Sequence, residues 1–216
     1  MKRKSLVEKK YLVHVVEFIW DKILTPIRPF LILFYLLEKC LELTVSLIHI
    51  LSNEFKKSKF SYCGRSVRIY GKSRFIHPNN IKLGNNVHIN DNAYIRADTD
   101  VTISENTHIS RNLLLYTSSH NYEGSLLPYD DTFILKPVYI DKNVWIGMNV
   151  TILPGVRIGE GAIIGMGSTV TRDVAPLSIV GGNPATVIKN RNDEHYSKLE
   201  HENRYSGISG LPYSKG

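Results

Sequence analysis

The chain has 216 residues, 43% of them hydrophobic and 22% charged, enough for one sizeable core and incompatible with a disordered polyelectrolyte or a collagen-like fibre. Two cysteines, Cys40 and Cys63, with no C-x-x-C pair, exclude a disulfide scaffold and a cysteine zinc site and fit a reducing compartment. The net charge of +7 is uneven: residues 1–60 carry 11 Lys/Arg against 6 Asp/Glu and the rest 16 against 14, so no basic face for nucleic acid is expected in the body of the chain.

The chain opens without the short apolar run and small-residue end of a cleavable signal peptide. Its longest uninterrupted apolar run, Pro29–Leu37, falls far short of the ~20 residues that span a bilayer. Amphipathic helices are expected instead. Lys10, His14, Glu17 and Asp21 form a narrow polar stripe among Leu12, Val13, Val15, Val16, Phe18, Ile19 and Trp20. Thr25-Pro26 and Arg28-Pro29 are expected to break that helix, and a second follows with Glu38, Glu42 and His49 on its polar side.

These broad apolar faces have two readings. They pack on the rest of the protein or on other subunits, or they lie in a membrane interface. The interfacial reading, which is preferred, draws on Lys2, Arg3, Lys4, Lys9 and Lys10 at one end and Lys56, Lys57 and Lys59 at the other, each worth roughly 1 kcal/mol near an anionic leaflet. It implies a cytoplasmic protein, peripheral on the inner face of the cytoplasmic membrane.

From about residue 67 a repeat takes over. Aliphatic residues stand six apart at Leu83, Ile89 and Ile95, at Ile103, Ile109 and Leu115, and at Ile140, Ile146, Ile152, Ile158, Ile164 and Val170. Two positions before most of them sits another small or apolar residue, such as Val87, Ala93, Val101, Val138, Val144, Val150, Val156 and Ala162. Inward residues at i and i+2 make a short strand, and the Gly, Asn and Asp between strands tolerate turn conformations. Three such strands close a triangular turn of 18 residues, and stacked turns put the inward residues into continuous columns. Residues 67–80, with Val67, Ile69 and Phe75, read as an imperfect opening rung. The repeat is interrupted twice: by two extra residues between Ile95 and Ile103, and by an excursion over Tyr116–Lys136. Loops of that length on a rigid solenoid are often functional.

This pattern resembles the hexapeptide-repeat family, whose members are left-handed parallel β-helices; the handedness comes from the resemblance, since parallel crossovers are ordinarily right-handed. Over residues 81–190 the chain is similar to the acetyl-CoA-dependent acetyltransferases of that family, in particular the sugar O-acetyltransferases. The matching residues are Ser119-His120 opening the excursion, Val144-Trp145-Ile146-Gly147 after it, Ile152-Leu153-Pro154-Gly155-Val156, and Gly181-Gly182-Asn183-Pro184-Ala185. The N-terminal helices differ from the short N-terminal region of the galactoside and maltose enzymes. The expected fold is therefore mainly β: a left-handed β-helix over 61–188, a helical region over 1–60, and a C-terminal helix and tail over 189–216. Lys189–Arg204 reads as a polar helix and 205–216 as a disordered end.

The resemblance implies a homotrimer with acetyl-CoA, the acyl donor, in a groove between two subunits. An acetyl transfer to an alcohol needs a group that removes the hydroxyl proton near neutral pH, and His120 at the root of the excursion fits. Asn90 stands where the family places an amide for the oxyanion or the acceptor. Asp98 matches a carboxylate on acceptor hydroxyls, and Trp145 is a further substrate-binding candidate. Met148, Met166, Thr171, Arg172 and Lys189 are the cofactor-binding candidates, the two cations suited to phosphates. Met148 and Met166 are bulkier than usual in the family, and Thr186 stands where a basic residue is common.

His88, His108 and Trp145 occupy equivalent places on successive rungs. Three stacked histidines would suit zinc, but the third position is Trp145, so an outer-face packing ladder is expected and no metal. The acceptor is expected to be a sugar hydroxyl of a surface polysaccharide or its lipid-linked precursor. The alternatives are N-acetylation of a nucleotide-linked amino sugar, a xenobiotic acetyltransferase, and a β-helix scaffold without chemistry.

Overall fold

The computed structural model describes residues 13–208. They divide into two compact units at Ile48/His49.

In the first unit the expected helix break is absent. Helical residues 13–18 run into a π-helical turn, Ile19–Leu24, and then into one α-helix, α1 (Thr25–Lys57), with Pro29 inside it. The wider π turn explains the continuity. The Thr25 N–H donates to Trp20 O, and Pro26 falls in the first turn of α1, where a missing N–H costs no helical bond. Phe30, Phe34, Leu37, Leu41 and Leu43 are exposed. No described helix is long and apolar enough to cross a membrane. Lys2, Arg3, Lys4, Lys9 and Lys10 lie outside the described residues.

The second unit begins with the last turns of α1, which finish the open end of a solenoid. Asn53, only 1% exposed, donates through Nδ2 to Ile69 O (3.1 Å) and Gly71 O (2.9 Å). Lys56 Nζ donates to Ser73 O (2.8 Å) and Lys57 Nζ to Val67 O (2.6 Å). The first coil has no preceding coil to pair its carbonyls, and α1 supplies the missing donors. This corrects the interfacial reading at its C-terminal cluster, because two of those three ammonium groups are spent on the β-helix. The third, Lys59, lies over the Phe55 ring at 4.9 Å.

The solenoid has five three-strand coils. The first is β1 (Tyr62–Cys63), β2 (Arg68–Ile69) and β3 (Arg74–Ile76); the second is β4 (Ile81–Leu83), β5 (His88–Ile89) and β6 (Tyr94–Arg96); the third is β7 (Val101–Ile103), β8 (His108–Ile109) and β9 (Leu114–Tyr116). An antiparallel hairpin, β10 (Ser118–His120) and β11 (Phe133–Leu135), then leaves the stack. The fourth coil is β12 (Val138–Ile140), β13 (Trp145–Ile146) and β14 (Thr151–Ile152), and the fifth is β15 (Arg157–Ile158), β16 (Ile163–Ile164) and β17 (Thr169–Val170). Each coil contributes one parallel strand to each of three faces, in the order first, second, third. This is the architecture of the left-handed parallel β-helix.

The columns expected from the six-residue spacing are present. Ile89 pairs with Ile109, Ile109 with Ile146 and Ile146 with Ile164, all essentially inaccessible. Each such side chain contributes about 1.5–3 kcal/mol by leaving water. The opening coil starts one strand earlier than expected, since Cys63 pairs with Leu83. The first three coils advance by 20 residues (Ile69 to Ile89 to Ile109) and the last two by 18 (Ile146 to Ile164). The added residues always fall at one corner, between the third face and the first. Pro78–Asn80 forms a 3-10 turn there, Asp98–Asp100 follows one coil later, and the hairpin leaves from the same corner of the third coil.

The C-terminal end departs from expectation. Lys189 lies in β19 (Thr186–Asn190), which folds back antiparallel on β18 (Ser178–Gly181), and the helix α2 is confined to Asp193–His201. Asn192 caps α2 by accepting from the His195 N–H at 2.7 Å, which starts the helix after Lys189 rather than at it. Residues 205–208 are ordered over the second face: Ser206 O accepts from Asn86 Nδ2 (3.0 Å) and Gly207 O from Arg68 Nη1 (2.7 Å). The remainder of the expected disordered end, 209–216, lies outside the described residues.

Candidate active site

Two corners of the triangular prism carry the chemistry-bearing side chains. At the corner between the third face and the first, successive coils stack His77, Asp98 and Ser118. Asp98 is 14% exposed and accepts from Arg96 Nε (2.7 Å) and from the Ser118 hydroxyl at Oδ2, while Oδ1 lies 3.3 Å from His77 Nε2. Burial pushes the Asp98 carboxyl up, but hydrogen bonds from Arg96 and Ser118 and the Arg96 and His77 charges outweigh it and hold it below the usual carboxylate range. His77 has a left-handed backbone (φ +54°), uncommon for a residue with a side chain.

Ser118 begins β10 and His120 ends it. His120 is exposed, and its ring stacks on Tyr129 at 3.8 Å between centroids and tilts against Phe133 at 4.7 Å. Both partners belong to the hairpin, so the imidazole is oriented by its own excursion. Thr171 and Arg172 follow β17 and lie at this same corner, exposed.

The corner between the second face and the third carries Asn90, whose Nδ2 donates to Ile109 O (2.9 Å) with one N–H of the amide left over. Met148 and Met166 follow β13 and β16 along this corner, both exposed. Trp145, on the second face, is 54% exposed. Sequence reasoning separated these residues by coil but not by corner. His120, Asp98, Thr171 and Arg172 share one corner, and Asn90, Met148 and Met166 another. Lys189 is exposed on β19, at the end of the second face. One chain does not bring His120 and Asn90 to the same corner.

The second face holds the expected ladder: His88 and His108 stack at 4.1 Å between centroids, 4° from parallel, and Trp145 pairs in register with His108. Burial, then the His108 and Arg68 charges, push the His88 pKa down to about 4; burial and Arg68 lower His108 as well. A cavity of about 550 Å³ lies over this face, with Asn90, His108 and Trp145 on one side and Arg191, Tyr196 and Tyr205 on the other. Its far wall joins residues expected in the C-terminal helix, Arg191 and Tyr196, to Tyr205 of the end expected to be disordered. His77, Arg96, Ser118 and Tyr129 were also missed. The first and third had a readable signal, since each stands about 20 residues from Asp98, one coil away.

The chain is thus a parallel β-helix of hexapeptide coils with a histidine-bearing hairpin leaving one corner. The family described as bacterial transferase hexapeptide (six repeats) matches residues 137–172. Comparison with curated protein sequences returns no match. Among solved structures, a hexapeptide-repeat acetyltransferase of Vibrio cholerae is 29% identical over 71% of this chain and 86% of that one, with a TM-score of 0.62. A galactoside acetyltransferase in complex with coenzyme A is 32% identical over 67% of this chain and 72% of that one, with a TM-score of 0.57. An N-acyltransferase of Bacillus cereus in complex with dTDP and 3-hydroxybutyryl-CoA is 26% identical over 70% and 93%, with a TM-score of 0.55. The chain belongs to the hexapeptide-repeat acetyltransferase family.

Proposed function

We propose that the protein transfers acetyl from acetyl-CoA to a sugar hydroxyl, with His120 as general base. The observation that carries this reading is the exposed imidazole of His120 at the end of β10, held by Tyr129 and Phe133 where the hairpin leaves the coils. The imidazole takes the proton of the acceptor hydroxyl as its oxygen attacks the thioester carbonyl. The remaining Asn90 N–H donates to the oxyanion that forms, and collapse of the tetrahedral adduct releases coenzyme A as its thiolate takes up a proton. Because His120 and Asn90 stand at different corners, the complete site joins one corner of one chain to another corner of a second, as in a closed homotrimer. Met148, Met166, Thr171, Arg172 and Lys189 then line the donor groove between them, with Arg172 and Lys189 available to phosphates. Trp145 and Asp98 are the substrate-side residues of this reading.

The exposed apolar residues of α1 support peripheral attachment at the cytoplasmic face of a membrane, and with it a surface polysaccharide or lipid-linked acceptor. N-acylation of a nucleotide-linked amino sugar is the second reading, favoured by the likeness to the Bacillus cereus N-acyltransferase. Consumption of acetyl-CoA against a panel of sugars and amino sugars tests both. His120→Ala should lower turnover by roughly 10²–10⁴-fold while coenzyme A affinity stays within about threefold. Turnover near the wild-type value in that variant would refute the base assignment.

A further inference from the structure

A carboxylate that binds acceptor hydroxyls needs oxygen lone pairs facing the cleft. Asp98 has few to offer. Its Oδ2 already accepts from Arg96 Nε and from the Ser118 hydroxyl, which fills that oxygen, and its Oδ1 is paired with the His77 ring at 3.3 Å from Nε2. What the carboxylate does hold is the start of β10. Ser118 and His120 are two residues apart on one strand, about 7 Å along it, and their side chains leave the same face. At its root the hairpin is also tied to the coils through Thr117, whose N–H donates to Arg96 O (3.1 Å) and whose Oγ1 accepts from the Thr99 N–H (3.0 Å), and its two ends are joined by the Lys136 N–H donating to Thr117 O (2.8 Å). Beyond that root, Tyr129 and Phe133 travel with His120, so they set the ring's angle within the hairpin and not the hairpin's place on the coils.

We infer that Asp98 is a positioning residue: through Ser118 it fixes the hairpin that carries His120, and it is not the ligand of the acceptor's hydroxyls. The inference replaces the substrate-side role given to Asp98 above and rests on His120 being the base. Arg96 and His77 hold the carboxylate in place from the other side, and the left-handed turn at His77 aims its ring there. A base displaced by about 1 Å loses up to about 100-fold in rate without any loss of substrate contacts.

The experiment compares Asp98→Asn, Ser118→Ala and the double variant of the full chain. It uses an acceptor that the wild type turns over and His120→Ala does not. Each single change should lower kcat by about 10–100-fold with acceptor KM within about twofold, and the double variant should be no worse than the poorer single one, because both cut one link. Amide hydrogen exchange over residues 118–135 should quicken in both single variants while the coils keep their protection. A tenfold or larger rise in acceptor KM with kcat retained in Asp98→Asn, and near-wild-type kinetics in Ser118→Ala, would overturn the inference and return Asp98 to acceptor binding. Full turnover in His120→Ala would instead remove the base assignment, whatever the Asp98 variants do.

Discussion

Acidification should destabilise the fold through one histidine. His88 is 5% exposed, stacked on His108, edge-on to Tyr70 and 3.4 Å from Arg68 Nη1, with Gly207 of the C-terminal segment against its ring. Its pKa falls from 6.5 to about 4 on folding, chiefly because burial disfavours the cation and then because His108 and Arg68 are near. A depressed histidine pKa means that between these two values the unfolded chain binds a proton that the folded one refuses. Stability is therefore complete above about pH 6.5, declines as pH falls through that window, and levels off below about pH 4, where the folded form also protonates. At about 1.36 kcal/mol per unit the loss reaches about 3 kcal/mol at pH 4, and His108, shifted the same way, adds to it. Urea unfolding of the wild type and of His88→Gln, measured in parallel from pH 7 to pH 4, isolates the effect because carboxylate titration is common to both. The stability difference between them should change by about 3 kcal/mol across that range, in the direction of wild-type loss in acid. Curves that stay parallel to pH 4 would refute the reasoning.

Two further outcomes follow from single contacts. Asn53→Ala leaves Ile69 O and Gly71 O without their donor at a fully buried position and should cost about 2–4 kcal/mol, read from the urea midpoint, with the earliest loss of exchange protection in β2. Gly207→Ala places a Cβ 2.4 Å from His88 Cε1 at φ +77°, so residues 204–208 should become sensitive to limited proteolysis while the thermal midpoint of the coils changes by only about a few degrees.

Spacing alone carried the coil. A strand of two inward residues and a turn repeats every six positions, and any chain that buries such a repeat must stack it, so the columns through Ile89, Ile109, Ile146 and Ile164 were legible before any coordinates. The family motifs marked His120 and Trp145 because a motif is local in sequence. The prolines misled: at Thr25-Pro26 because proline forbids one hydrogen bond but does not say whether a neighbouring π turn makes that bond unnecessary, and at Arg28-Pro29 because the helix simply continues past Pro29.

What only the tertiary structure decided depends on which corner a residue reaches. Asp98 and Asn90 are eight positions apart yet stand at different corners, whereas Asp98 and Ser118 are 20 apart and touch, because one 20-residue coil returns the chain to the same corner. The roles of Lys56 and Lys57 were hidden for the same reason. A lysine's composition speaks of charge, but its partners, the carbonyls of Ser73 and Val67, are exposed only because the first coil has no neighbour before it. Residues 205–216 read as a disordered end, since the anchors of 205–208 are backbone carbonyls, Ser206 O and Gly207 O, which no side-chain pattern reports. Repetition along the chain set the fold; the closure of each coil set which side chains share a site.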